Sequence, residues 1–100
     1  MIQRFCFAVL RDDEVAGRAA LAGELARRFA AAGADAVVGV PADESAIRWD
    51  LSIVITAVSL EAWTALAASP AIAAAFDALA ARAGVVKAWT FEAVPPLPAP

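Results

Sequence analysis

The side chains in this sequence that could carry chemistry are few, and most stand alone. Arg4 lies one step before Phe5 inside an apolar run, where a charge is costly unless something holds it. As a functional group it would anchor an anion, or polarise a carbonyl, in a pocket between a sheet and its helices. The preferred, plainer reading is a salt bridge at the strand's end to Asp50, Glu92 or the carboxyl tail. Asp50 could serve as a general base if it were desolvated. A carboxylate where a strand begins is more often exposed or paired. Glu61 is the other carboxylate that could move a proton beside Arg4. Cys6 could be a reactive thiol, but with no neighbouring base a buried, inert role is preferred. Trp49, Trp63 and Trp89 could wall a pocket for a flat ligand, with core and interface packing as the commoner use. Leu66, Ile72 and Phe76 complete the apolar lining expected around Arg4 and Cys6. Asp43 and Glu44 are read as solvated loop.

Composition narrows the chemistry further. The 100 residues carry a net charge of −3, with seven arginines and one lysine. The 62% hydrophobic content is mostly alanine, which adds little apolar area per residue. Phosphate recognition needs clustered cations, and the one adjacent pair, Arg27-Arg28, suits the end of a helix. Nucleic acid is therefore not an expected partner. The chain has one cysteine and no histidine. No internal disulfide can form, the commonest general base and metal ligand are missing, and no metal or cofactor is expected. No signal peptide is apparent at the start, and 65–76 is too short to span a membrane. A soluble cytoplasmic protein is the expectation.

The elements that must position these residues follow from periodicity. Residues 2–10 read as a buried strand. Asp12 and Asp13 offer an N-cap, and Leu21, Leu25 and Phe29 recur on one helical face, so the first helix is predicted over 13–32. Glu14 with Arg18, and Glu24 with Arg28, have the favourable i,i+4 spacing. Gly33 is placed to end that helix. A short strand, 36–40, stops at Pro41, and 41–45 is loop. A third strand is predicted over 48–58, with Trp49, Leu51, Ile53, Ile55 and Ala57 on one face. Ser59 caps a second helix, which must break at Ser69-Pro70 and restart there. Ile72, Phe76 and Leu79 or Ala80 point inward, and Gly84 is predicted to end the helix. The last strand is expected over 85–93, and residues 95–100 form a proline-rich, mobile tail that cannot join a ladder. The domain is thus taken as 1–94, with the order strand, helix, strand, strand, helix pair, strand: a ferredoxin-like α+β fold with helices on one face of a four-stranded antiparallel sheet.

The sheet should have a partner. A face open to water alternates apolar with polar residues. Here Phe5, Phe7 and Val9 fill one parity of the first strand, and Ile2, Cys6, Ala8 and Leu10 fill the other. In the last strand Trp89 and Phe91 oppose Val86 and Ala88. A face of about 800 Å² at about 25 cal/mol/Å² represents ~20 kcal/mol of gross transfer free energy, much of it offset on association. A two-fold homodimer with the sheets back to back would bury it. The alternative is a monomer whose second face is covered by the tail.

Three segments also carry a family resemblance, spread over about 1–93. Met1-Ile2-Gln3-Arg4-Phe5 precedes a strand and an acidic helix start. Trp49-Asp50-Leu51-Ser52-Ile53-Val54 stands where the family has Tyr-Asp before an apolar strand. Ser59-Leu60-Glu61-Ala62-Trp63 runs on to Ser69-Pro70-Ala71-Ile72. In this order and spacing they resemble the stress-responsive dimeric α/β-barrel (Dabb) domain. The resemblance implies a homodimer closed through its sheets. Some members are polyketide cyclases that use histidines as acid and base. The matching positions here hold Arg4 and Ile72, Ser69 replaces a further histidine, and Leu66 a tyrosine. An arginine keeps its proton near neutral pH and an isoleucine has none to give, so the cyclase mechanism is not inherited.

Two functions remain. The favoured one is a non-catalytic, stress-response-type dimer with an apolar small-molecule pocket. The other is a cofactor-independent enzyme, cyclase-like or monooxygenase-like, acting on an aromatic substrate through Arg4 and a carboxylate.

Overall fold

A computed structural model describes residues 1–100. Strand β1 (Ile2–Leu10) leads through 3-10 turns at Asp12–Gly17 into helix α1 (Arg18–Ala31). Strands β2 (Asp35–Gly39) and β3 (Leu51–Ala57) follow. Helices α2 (Leu60–Ala67) and α3 (Pro70–Ala80) then precede β4 (Ala83–Glu92). The four strands form one antiparallel sheet in the order β2-β3-β1-β4. This is the ferredoxin-like arrangement read from the sequence.

Strand parity decides which side chains the helices cover. Cys6, Ala8 and Leu10 of β1 and Leu51, Ile53 and Ile55 of β3 are buried against Leu21, Leu25 and Phe29 of α1 and Ile72, Ala75 and Leu79 of α3. Phe29 meets Phe76 edge to face, with ring centroids 5.4 Å apart. The opposite parity, Phe5, Phe7 and Val9, carries no helix.

The punctuation residues act as their chemistry requires. Gly33 adopts φ 77°, and the amides of Gly33 and Ala34 bond back to the carbonyls of Ala30 and Phe29. That pair of bonds is the Schellman closure, and it needs a left-handed residue at Gly33. Ser59 and Ser69 cap α2 and α3 by accepting from the amides of Ala62 and Ile72. Removing the Ser59 hydroxyl leaves a first-turn amide without its partner. Ser59→Ala is expected to cost about 1 kcal/mol and lower Tm by about 4–8 °C, measurable by thermal unfolding.

Several boundaries differ from the sequence expectation, each for a local reason. The first helix does not begin at 13: Asp12–Gly17 winds as 3-10, and neither Asp12 nor Asp13 caps it. With three residues per turn, i and i+4 no longer face each other. Glu14 therefore pairs with Arg11 and Arg82 at 3.7 and 3.9 Å instead of with Arg18. Within the α-helix proper, Glu24 and Arg28 do pair, at 3.1 Å. Gly84 does not end a helix; it is the extra residue where the β1–β4 register shifts between Val9 and Leu10. The third strand starts at Leu51 rather than 48, which turns Trp49 to the other face. No single helix is long and apolar enough to cross a membrane, although the bent pair α2 and α3 together has that length and composition.

Candidate functional site

The sequence nominated eight residues for one pocket, and the fold brings five of them together. Arg4 and Cys6 point from β1 toward the helices, Val86 and Ala88 from β4, Trp63 and Ala67 from α2, and Ile72 and Phe76 from α3. Together they enclose a cavity of about 290 Å³. Leu66 packs against the core beside the cavity without lining it. β4 is exposed along its length, so the cavity opens past Val86 and Ala88 to solvent.

Trp49 and Trp89 do not belong to this cavity. Both stand on the helix-free face, each with its ring against Phe7, at 5.8 and 6.1 Å. Phe5 and Phe91 meet edge to face on the same side at 5.7 Å. The sequence pattern placed Trp49 with Leu51 because it assumed an unbroken strand. In the structure Asp50 takes the buried position at the junction, and Trp49 is displaced to the outer face. Trp89 lies on the parity of Phe91, facing away from the cavity. The resulting outer surface exposes Val37, Trp89 and Phe91. The tail does not cover it, since Val94 and Leu97 are themselves exposed.

Arg4 is held by none of its three expected salt bridges. The ion pairs of the protein join Arg11, Arg18, Arg28 and Arg82 to Asp13, Glu14, Glu24 and Asp50. Arg4 instead donates from Nη1 to Thr90 Oγ1 at 2.8 Å, and its guanidinium lies over the Trp63 ring, 5.6 Å from the centroid. Thr90 was not singled out in the sequence. The register explains it, because Arg4 pairs directly with Thr90, on the same parity of β4 as Val86 and Ala88. Cys6 is buried two residues further along the same face. Desolvation pushes its thiol pKa up, with a smaller opposing pull from the Arg4 charge. It is therefore a neutral thiol at neutral pH and a poor nucleophile.

The carboxylates proposed to work with Arg4 lie elsewhere. Asp50 is buried at the far end of β1: its Oδ2 accepts from the Leu10 amide at 2.8 Å and its Oδ1 from Arg18 at 3.2 Å. Glu61 is exposed in the first turn of α2 and does not line the cavity. Asp43 accepts from the amide and hydroxyl of Ser45 in an exposed turn, and these bonds hold its pKa below the usual carboxylate value. No cluster of three His, Cys, Asp or Glu side chains is arranged to hold a metal ion.

Comparison with solved structures places this geometry in a recurrent class. A dimeric protein of unknown function with a ferredoxin-like fold from Bacteroides fragilis superposes with a TM-score of 0.74 at 17% identity, covering 91% of this chain and 94% of its own. A proposed antibiotic biosynthesis monooxygenase from Deinococcus radiodurans gives 0.74 at 18% identity, covering 99% and 98%. An ethyl tert-butyl ether d (ethd) family protein from Bacillus halodurans gives 0.72 at 14% identity, covering 94% and 99%. No family model matches the sequence, and no curated protein matches it. At these identities the likeness establishes the ferredoxin-like fold.

Proposed function

We propose that this protein is a cytoplasmic homodimer that binds a small apolar molecule in the cavity between sheet and helices of each subunit, as a non-catalytic domain of the stress-responsive α/β-barrel type. The observation that carries this reading is the character of the cavity wall. Seven of its eight residues are hydrophobic. The remaining one, Arg4, keeps its proton at any ordinary pH, and the Cys6 thiol is held neutral by burial. Such a wall holds a ligand without exchanging protons with it. The volume lies at the low end of the ~300–1,000 Å³ usual for ligand pockets, which suits a fragment-sized molecule. Dimerisation draws on the uncovered aromatic face and on the dimeric character of the Bacteroides protein.

A fluorescence-based thermal shift screen of small aromatic and aliphatic compounds tests the pocket. Binding at one hundred times Kd should add about 2.7 kcal/mol to stability and raise Tm by several degrees. If no compound of either type shifts Tm at millimolar concentration, the pocket reading fails. The second reading, a cofactor-independent enzyme on an aromatic substrate, draws on the fold shared with the Deinococcus protein. It would require the proton-moving group to come from outside the cavity wall described above, and oxygen uptake or ring closure with polycyclic phenols would reveal it.

A further inference from the structure

We infer that the cavity selects a compact monocarboxylate, with the carboxylate held by Arg4 and Thr90 and the apolar body pointing inward; this rests on the pocket reading above. Arg4 is half-buried at the edge of an apolar cavity, where a counter-charge interacts with it more strongly than in open solvent. Every expected carboxylate is absent from its reach, while Arg11, Arg18, Arg28 and Arg82 each have one. What holds Arg4 in place is neutral: the Thr90 hydroxyl and the Trp63 ring. Arg4 makes one hydrogen bond, to Thr90, so its other N–H donors remain to meet a ligand.

Those donors match the two oxygens of a carboxylate. Thr90 Oγ1 already accepts from Arg4, so its own proton is free to be donated to the same anion. The cavity wall carries one full charge and no second cation, and the Thr90 hydroxyl stands just outside that wall, bonded to Arg4. That suits a single negative charge better than a phosphate dianion. Inward from this anchor lie Ile72, Phe76, Val86 and Ala88, with the neutral thiol of Cys6 on the floor. The opening beside β4 gives the route of entry.

The test compares benzoate with benzamide, equal in shape and differing in charge, followed by NMR of the tryptophan indole resonances and by calorimetry. Benzoate should bind the wild type at least about tenfold more tightly, the equivalent of about 1.4 kcal/mol. Arg4→Gln should bring the benzoate-to-benzamide affinity ratio down to near one, whatever it does to both affinities together, and Arg4→Lys should restore part of the ratio. Thr90→Val should lower the benzoate-to-benzamide affinity ratio. Ala88→Leu, which fills the mouth from an exposed strand, should weaken both ligands and serves if Arg4→Gln fails to fold. Equal binding of benzoate and benzamide would overturn the carboxylate inference and leave the pocket standing. Absence of binding by both would overturn the two together.

Discussion

Replacing Asp50 with alanine is expected to destabilise the protein by about 2–4 kcal/mol, with Tm falling by roughly 10–25 °C. The carboxylate ties three elements at one corner. Its Oδ2 accepts from the Leu10 amide at the end of β1, its Oδ1 from Arg18 at the start of α1, and its own amide donates to the Ala8 carbonyl. Alanine keeps only the last of these. The Leu10 amide is then buried without an acceptor, which alone costs about 1–3 kcal/mol. Arg18 also loses its counter-charge; its side chain is 38% exposed, so solvent screening keeps that part small. Asp50→Asn retains an oxygen for the Leu10 amide and gives up the charge. It should therefore recover most of the loss, ending within about 1 kcal/mol of wild type. Urea titration at fixed protein concentration separates the two variants. If alanine and asparagine proved equally harmful, the hydrogen bond to Leu10 could not be the dominant contribution.

That corner also marks how far sequence reasoning reached. The parities of β1 were legible because both faces are apolar and the run is bounded by charge. Ser59, Ser69-Pro70 and Gly33 were legible because capping is local chemistry, decided within four residues. What stayed hidden depended on pairs distant in sequence. Nothing near Arg18 points to Asp50, and the Glu14–Arg18 spacing pointed elsewhere until the 3-10 turns removed it. Trp49 was misplaced for the same reason, since the Asp50 hydrogen bond fixes where the strand begins. Of the nominated pocket, Arg4, Cys6, Trp63, Ile72 and Phe76 converge because Arg4 and Cys6 share the β1 face that the helices cover, a choice between two apolar faces that the sequence left open. Thr90 needed the β1–β4 register, which pairs it with Arg4 and which no periodicity displays.

In the proposed homodimer, Trp89→Arg is expected to convert the dimer into a monomer, seen in sedimentation as a fall from twice the chain mass to 10.3 kDa. Trp89 is the natural position to charge because it lies on the outer face of the edge strand β4 and remains 46% exposed in the isolated chain. Its ring rests on Phe7, which also supports Trp49, and Phe91 lies two residues along on the same face. Aromatic anchors of this type commonly contribute 2 kcal/mol or more each to an interface. A two-fold dimer contains the substitution twice, so about 4 kcal/mol or more is lost, and Kd rises about a thousandfold. The core of the subunit is untouched, because Leu25, Phe29, Ile53 and Leu79 lie on the other side of the sheet. Far-UV circular dichroism should therefore be unchanged. Lys87 supplies the internal control: it shares the outer parity of β4, opposite Phe7. Lys87→Gln removes a like-charge repulsion between copies and should leave the dimer intact or tighten it. A wild-type chain that sediments as a monomer at micromolar concentration, or a Trp89→Arg variant that stays dimeric, would show that this face is not where two copies meet.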